Sequence, residues 1–296
     1  MVHEIMICPR CKEDIIVKEN NTLKCVGCNT RYPIIKGVPT LLDYHVKNSY
    51  RKLYRDINVR SEVSIYSRIF QNLDHQLILE NDNRKIQQIY LNTVAIIVTH
   101  QLLNSYDLNE VNVLEVGSRR GVTLQNLSMC FPKSHLYGID AYLDGVIEAN
   151  AKKNTELYIC GDVYNLPIKH ASFDVVLSIN TFHSFHEPKR FFGECNRVLK
   201  SQGMFMVADI LTCNQVSKIR TYCEINHMRI VKFQDISDSI MRYIGQRKEE
   251  KVLHSNGGKT TSLENKNKSD YKTEWDLYDK LRKHSLHYCL IWCQKK

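Results

Sequence analysis

The stretch Val113-Leu-Glu-Val-Gly-Ser-Arg-Arg-Gly121 is a short β-forming run that leads into a turn between two glycines. Glu115 stands two positions before the first of them, Gly117. A second stretch, Leu136-Tyr-Gly-Ile-Asp140, is again an apolar run that ends in a carboxylate. Glycines let a ligand approach the backbone closely, and a carboxylate at a strand end can bind ribose hydroxyls. The pair predicts a site for a nucleotide-like ligand at the ends of two neighbouring strands.

Apolar runs of strand length alternate with helical patterns through the second half of the chain. This alternation predicts an α/β fold with a doubly wound, mostly parallel sheet of seven strands and helices on both faces. The predicted strands cover residues 111–116, 136–139, 156–160, 173–179, 203–208, 229–233 and 286–292.

Four cysteines near the N-terminus form two C-x-x-C pairs, Cys8-Pro-Arg-Cys11 and Cys25-Val-Gly-Cys28. Two such pairs joined by a hairpin predict four thiolates around one tetrahedral zinc ion. A closed set of four thiolates leaves no open coordination position, so the metal is expected to be structural. A redox-active pair is the alternative.

The chain of 296 residues is predicted to divide into three regions. Residues 1–44 form the zinc ribbon, and residues 45–110, with apolar side chains at helical spacing, form a helical linker or lid. Residues 111–296 form the α/β domain. Within that domain, residues 245–273 are poor in apolar side chains and predict a flexible loop.

The composition limits the partners and the location of the protein. Lysine and arginine number 41 against 32 acidic residues, which gives a formal net charge of +9. This charge permits an anionic partner such as RNA, but no dense basic run appears, and the alternative is charge spread over solvated faces. No transmembrane segment is predicted. Four of the eleven cysteines belong to the metal pattern and the others are scattered, so we expect a reducing, cytoplasmic location.

Taken in order, these motifs over residues 86–296 resemble the class I S-adenosylmethionine-dependent methyltransferases, which have a Rossmann-like fold. The resemblance implies that the first glycine turn holds the methionine part of S-adenosylmethionine. It also implies that Asp140 binds the ribose and that Asp162 meets the adenine amino group. The implied cofactor-binding residues are Glu115, Gly117, Ser118, Gly121, Asp140, Ala141, Asp162, Val163 and Asn180.

One position departs from the family pattern E-x-G-x-G-x-G, because Arg119 stands where a glycine is expected. A side chain there is predicted to crowd the backbone that approaches the cofactor, unless it points outward. A non-catalytic binding protein with the same fold is therefore one alternative, with the zinc ribbon as its docking face for a protein partner.

The segment Asn180-Thr-Phe-His-Ser-Phe-His186 resembles the S-S-H-C-Y segment of methyltransferases that act on phthiotriol lipids and related polyketide or fatty-chain alcohols. The resemblance implies a small-molecule substrate with a hydroxyl group, and a catalytic histidine to remove its proton. His183 is the favoured base and His186 the second candidate. Tyr278 and Tyr288 match the tail of that family and are predicted to line the acceptor pocket, with a core position as the alternative for both.

The ribbon followed by Y-P-I-x-x-G-V-P-x-L resembles the leader of many bacterial methyltransferases, including enzymes that methylate ribosomal RNA, and the small activator subunit of tRNA methyltransferases. An RNA base methyltransferase is thus the second alternative, and the net positive charge agrees with it. The favoured prediction is methyl transfer to a lipid, polyketide or other secondary metabolite.

Overall fold

A computed structural model describes residues 4–18, 22–42, 108–153, 155–242 and 276–296. Nearly all of the predicted helical linker, residues 45–110, and all of the predicted flexible loop, residues 245–273, lie outside these ranges. In the described part of the chain, none of the helices is long and apolar enough to span a bilayer.

The described residues form one sheet of eleven strands, in the spatial order β1-β2-β3-β4-β7-β6-β5-β8-β9-β11-β10. The strands are β1 Ile15–Lys18, β2 Thr22–Cys25, β3 Arg31–Ile35, β4 Val38–Leu41, β5 Asn112–Val116, β6 His135–Asp140, β7 Leu157–Gly161, β8 Phe173–Ile179, β9 Leu199–Leu211, β10 Met228–Asp235 and β11 His287–Lys295. Four helices follow individual strands: α1 Val122–Cys130, α2 Leu143–Lys152, α3 Pro188–Val198 and α4 Cys213–Ile225. Residues 237–242 and 276–282 are also helical.

Strands β5 to β11 are the seven strands that the sequence predicts. β5 to β9 run parallel to one another, while β11 lies between β9 and β10 and is antiparallel to both. The predicted fold class is confirmed. The chain leaves β5 toward β6 on one side and returns as β8 on the other, which makes the β5–β8 boundary a topological switch point. We call the edge at which β5 to β10 end the carboxyl edge.

Two hydrophobic cores cover the two faces of the sheet. Consecutive residues of β5 point to opposite faces, so Val113 belongs to one core and Leu114 to the other. The helices α1 and α2 pack into the first core through residues such as Leu124 and Val146. The helices α3 and α4 pack into the second core, for example through Phe192. Both faces are therefore covered, as a buried parallel sheet requires.

The N-terminal ribbon continues the sheet of the α/β region. Its last strand, β4, runs parallel to β7, with Thr40 opposite Cys160 and Leu41 opposite Gly161. The hairpin between β3 and β4 turns at Lys36 and Gly37, which have φ angles of 48° and 78°. Two consecutive left-handed residues are typical of a type I′ turn, in which glycine is favoured.

The ribbon also covers the connection between β7 and β8, residues 162–172, which contains no helix. The Ile7 amide donates to the Pro167 carbonyl at 3.1 Å, and the Lys169 amide donates to the Ile5 carbonyl at 2.8 Å. Met6 and Ile168 share the second core. The ribbon thus packs where a doubly wound fold would ordinarily place a crossover helix.

Candidate active site

The glycine turn after β5 contains two glycines with a left-handed backbone, and neither position has room for a side chain. Gly117 has a φ of 86° and Gly121 a φ of 75°. A Cβ atom on Gly117 would lie 2.3 Å from the Thr181 methyl carbon, and one on Gly121 would lie 2.3 Å from the Tyr158 hydroxyl oxygen. Both distances are far below contact, so the structure requires glycine at both positions.

Arg119, the residue that departs from the family pattern, also has a positive φ, of 44°. This backbone conformation explains the glycine in the family pattern, because a residue with a Cβ adopts it at a cost of about 1 kcal/mol. The side chain is partly exposed, and the Arg119 amide donates to the Asp140 carboxylate at 3.0 Å. The predicted crowding of the cofactor by Arg119 stays a prediction.

Asp140 fastens the glycine turn to the end of β6. It is 1% exposed, and its two oxygens accept hydrogen bonds from the backbone amides of Arg119 and Tyr142, at 3.0 and 2.7 Å. A carboxylate oxygen carries two lone pairs and can accept two hydrogen bonds. Asp140 thus fixes the shape of the turn.

Two more carboxylates lie at the ends of the strands beside β6. Glu115 is buried within β5, and Asp162 follows β7, where its carboxylate accepts a hydrogen bond from the Tyr164 amide at 2.8 Å. Ala141 and Val163 are buried apolar residues next to these acids. The structure therefore brings the predicted acidic residues together along the carboxyl edge.

Ser118 lies inside the glycine turn and is 5% exposed. Among the described residues, its hydroxyl has no hydrogen-bond partner. A buried hydroxyl without a partner costs free energy, which a ligand in the turn can recover by a hydrogen bond.

Tyr288 and Asn180 meet beneath the end of β8. Tyr288 is fully buried, and its hydroxyl donates to the Asn180 side-chain oxygen at 2.6 Å. Asn180 has a φ of 51° and its amide donates to the Ala208 carbonyl. Tyr278 packs, partly buried, against the first core. The structure thus places one predicted acceptor residue, Tyr288, against a predicted cofactor residue, and the role of both tyrosines stays a prediction.

His183 lies in a short 3₁₀ turn, Phe182–Ser184, directly after β8. Its Nδ1 atom lies 2.9 Å from Oδ1 and 3.1 Å from Oδ2 of Asp209, and its backbone amide donates to Asp209 Oδ2 at 2.9 Å. The His183 side chain is 4% exposed and Asp209 is fully buried. Ile210 donates a further backbone hydrogen bond to Asp209, at 2.8 Å.

The Asp209 contact decides which nitrogen of His183 is basic. An ionised carboxylate only accepts hydrogen bonds, so Nδ1 keeps its proton and donates a hydrogen bond to Asp209. Nε2 is left as the acceptor. A histidine held in this way by a carboxylate is the arrangement of a general base, in which the carboxylate orients the ring and stabilises the imidazolium.

Sequence reasoning missed Asp209. A signal was present, because Asp209 is the single charged residue in the apolar run from Met204 to Leu211. A fully buried carboxylate is rare unless it is paired. Its partner was not evident, since the two residues lie 26 positions apart in sequence.

His186, the second predicted base, lies in a different environment. Its side chain is 55% exposed, and its Nδ1 atom lies 3.1 Å from the Tyr164 hydroxyl, whose pKa burial raises to about 12. It borders a surface pocket of about 680 Å³ between the ribbon and α3, which Lys12 and Tyr222 also line. The structure therefore does not bring the two histidines into one site.

The four ribbon cysteines converge on one point, with their sulfur atoms all within 4.8 Å of one another. Cys8 Sγ lies 3.6 Å from Cys28 Sγ, and Cys11 Sγ lies 3.3 Å from Cys25 Sγ. Zn–S bonds of about 2.3 Å in a tetrahedron place sulfur atoms about 3.8 Å apart, so the four thiols fit such a site. The Cys28 amide also points at Cys25 Sγ, at 3.4 Å.

Comparison with known proteins gives a family and several relatives. Residues 114–207 match the protein family described as "Methyltransferase domain". The chain is 28% identical over 158 residues to a phthiotriol/phenolphthiotriol dimycocerosates methyltransferase of Mycobacterium tuberculosis, covering 52% of this chain and 58% of that protein. It is 28% identical over 108 residues to the demethylmenaquinone methyltransferase of Thermotoga maritima, covering 36% and 47%. The chain thus spans about half the length of the curated relatives it matches.

Solved structures share the fold at low sequence identity. The phosphoethanolamine N-methyltransferase 2 of Haemonchus contortus, in complex with S-adenosyl-L-methionine, matches with a TM-score of 0.56 at 13% identity, over 67% of this chain and 51% of that one. The cyclase SpnF matches with a TM-score of 0.54 at 17% identity, over 73% and 85%. The fold alone therefore does not fix a reaction. The family match over residues 114–207, the named relatives and the strand order agree with a class I, S-adenosylmethionine-dependent methyltransferase domain in this part of the chain.

Proposed function

We propose that the protein transfers a methyl group from S-adenosylmethionine to a hydroxyl group of a small lipid, polyketide or related secondary metabolite. The observation that carries this proposal is the His183–Asp209 pair beside the glycine turn. The Thr181 hydroxyl, two residues before His183, lies 3.3 Å from the Gly117 carbonyl and so joins the two features. The proposal also draws on the relatives named for phthiotriol lipids.

The residues at the carboxyl edge fit the proposed cofactor. Carboxylates accept hydrogen bonds from ribose hydroxyls and from amino groups, and Glu115, Asp140 and Asp162 stand at three neighbouring strand ends. In our proposal Glu115 and Gly117 hold the amino-acid part of the cofactor, Asp140 the ribose and Asp162 the adenine amino group. When bound, S-adenosylmethionine supplies an electrophilic methyl group on a sulfonium.

His183 supplies the base for the acceptor hydroxyl. In the proposed mechanism, Nε2 takes the proton of the acceptor hydroxyl, so that its oxygen can act as the nucleophile toward the methyl group. Asp209 stabilises the resulting imidazolium through Nδ1. Burial strengthens this interaction, because few water molecules compete for the carboxylate. The second bond, from the His183 amide to Asp209, fixes the backbone as well as the ring. General base catalysis of this kind contributes about 10² to 10⁴ in rate.

We infer that Cys8, Cys11, Cys25 and Cys28 hold a structural zinc ion. Four thiolates close the coordination sphere, which leaves no position for substrate. None of the eleven cysteines is paired in a disulfide, and we propose a cytoplasmic, reducing location on this basis.

The test uses the purified, zinc-loaded protein in two steps. Calorimetric titration with S-adenosylmethionine and S-adenosylhomocysteine measures cofactor binding, for which we expect a Kd in the micromolar range, as for typical small ligands. Labelled S-adenosylmethionine is then incubated with hydroxylated lipids and polyketides, and labelled product is extracted. Absence of cofactor binding would refute the proposal. Cofactor binding with methyl transfer to RNA and to no hydroxyl compound would show that the acceptor is RNA instead of a small molecule.

A further inference from the structure

Three chemically active side chains, none of them part of the His183–Asp209 pair, meet at the carboxyl edge. Cys213 is the first residue of α4, just beyond β9, His287 is the first residue of β11, and Asp235 is the last residue of β10. His287 pairs with Leu211 in the sheet, and Asp235 pairs with Cys289. The antiparallel strands thus bring together residues that lie 74 and 52 positions apart in sequence.

The geometry is that of a nucleophile, a base and a carboxylate in line. Cys213 Sγ lies 3.4 Å from His287 Nε2, and His287 Nδ1 lies 2.8 Å from Asp235 Oδ2. The carboxylate accepts from Nδ1, so Nε2 is the basic nitrogen and faces the thiol. Burial alone would raise the pKa of Asp235, but hydrogen bonds from Ser237 and His287 outweigh it and keep this pKa low. Asp235 therefore stays ionised and holds the ring.

Cys213 lies at the N-terminus of a long helix. α4 has thirteen residues and begins with a capping box in which Thr212 and Gln215 exchange hydrogen bonds. A helix N-terminus carries partial positive charge, which stabilises an anion in its first turn. Cys213 is also exposed, so small molecules in solution can reach its sulfur.

We propose that Cys213 is an activated thiol nucleophile and a modification site for hydroperoxides, with His287 as its base and Asp235 as the residue that orients the base. This inference is independent of the proposed methyl transfer.

The oxidation is a two-electron step that needs only the hydroperoxide as oxidant. His287 Nε2 takes the thiol proton, and the thiolate sulfur attacks one oxygen of hydrogen peroxide. The S–O bond forms as the O–O bond breaks, and the departing hydroxide takes the proton from the imidazolium. The products are a Cys213 sulfenic acid and water, so the sulfur is oxidised and the peroxide reduced.

The chain contains a matched control for this chemistry in Cys130. It is an exposed cysteine like Cys213, but burial around its sulfur raises its pKa. In the described part of the chain, no histidine nitrogen is hydrogen-bonded to it. Exposed cysteines Cys11 and Cys28 belong to the metal cluster. Among the cysteines outside that cluster, reactivity should therefore concentrate at Cys213.

The experiment exposes the full-length, zinc-loaded protein to hydrogen peroxide in the presence of dimedone, which traps sulfenic acids, and maps the adducts by peptide mass spectrometry. Limiting iodoacetamide serves as a second probe. We expect Cys213 to react about tenfold faster than Cys130 with either reagent, because His287 lies within reach of the Cys213 thiol proton and, among the described residues, Cys130 has no such base. Equal rates at the two cysteines would overturn the proposal.

Variants separate activation by His287 from simple exposure. His287→Ala is expected to lower the Cys213 rate about tenfold and to leave the Cys130 rate unchanged, and Asp235→Asn to cause a smaller loss. His284→Ala is the control, since His284 stacks on His287 while the contact with the Cys213 sulfur is made by His287. An unchanged Cys213 rate in His287→Ala would contradict the assignment. Cys223 and Cys293 are buried, so labelling at these two cysteines shows that a variant has lost its fold. In that case the ratio of the Cys213 rate to the Cys130 rate in the wild-type protein decides the question alone.

Discussion

Two histidine–aspartate pairs lie on one edge of the sheet, and burial is what separates them. The Nδ1–oxygen distances are 2.9 Å for His183–Asp209 and 2.8 Å for His287–Asp235. The first pair is nearly inaccessible, with side chains 4% and 0% exposed, whereas those of the second are 20% and 37% exposed. The same contact therefore suits different chemistry. The buried pair can hold a charge near a bound substrate, while the exposed pair can react with small molecules dissolved in the solvent.

The largest effect that would sharpen this comparison is on turnover. His183→Ala is expected to lower kcat by about 10² to 10⁴, because it removes the proton acceptor while the cofactor residues remain. Cofactor affinity, measured by calorimetry, should not change. His186→Ala is the matched control and should retain full turnover, since His186 points to the separate pocket beside α3. Equal losses in the two variants would assign the proton transfer elsewhere.

The next effect is on stability and concerns the two aspartates. Asp209→Ala is expected to lower the free energy of unfolding by about 3 kcal/mol, because it leaves several buried donors without an acceptor. Asp235→Ala should cost less than about 1 kcal/mol, since the pair is open to solvent. Urea unfolding measures both variants. Similar losses would mean that burial does not distinguish the pairs.

A third carboxylate, Asp140, is held by backbone amides instead of a histidine. A substitution beside it is expected to raise stability, whereas the aspartate substitutions lower it. Arg119→Gly should raise the free energy of unfolding by a few tenths to about 1 kcal/mol, because glycine adopts the left-handed conformation without strain while the amide contact to Asp140 remains. Glycine also gains freedom in the unfolded chain, which limits the effect. Thermal unfolding measures the shift. A loss of stability would show that the arginine side chain makes a compensating contact.

The smallest expected effect is the pH dependence of the exposed pair. The pKa of Asp235 is lowered in the folded protein, so the carboxylate stabilises the fold above its unfolded pKa of about 3.9. This contribution is lost as the pH falls through the folded pKa. The difference in unfolding free energy between wild type and Asp235→Asn should therefore be present at neutral pH, below about 1 kcal/mol, and shrink in acid. A difference that grows in acid would contradict the sign.

The parts of the molecule that could be predicted from sequence depend on local patterns. The glycine turn, each strand and each cysteine pair involve only a few neighbouring residues in the sequence. The seven predicted strands of the α/β region are all present in the structure. Asp209 was missed because its partner is set by the parallel register of β8 and β9, in which Ile179 lies opposite Ala208. The Cys213–His287–Asp235 cluster depends on pairing across three strands. Such contacts arise from register, which no short sequence pattern encodes.

The pairing of β4 with β7 has a consequence for solubility. Without β4, β7 would be the outermost parallel strand and would present a row of unpaired amides and carbonyls to other chains. In the described structure the ribbon extends the sheet outward to β1, a strand of only four residues with three exposed side chains. A short, exposed strand is a poor template for further pairing. The N-terminal ribbon therefore covers the β7 side of the sheet, and a ribbon that lost the fold set by its four cysteines would expose the β7 backbone to other chains.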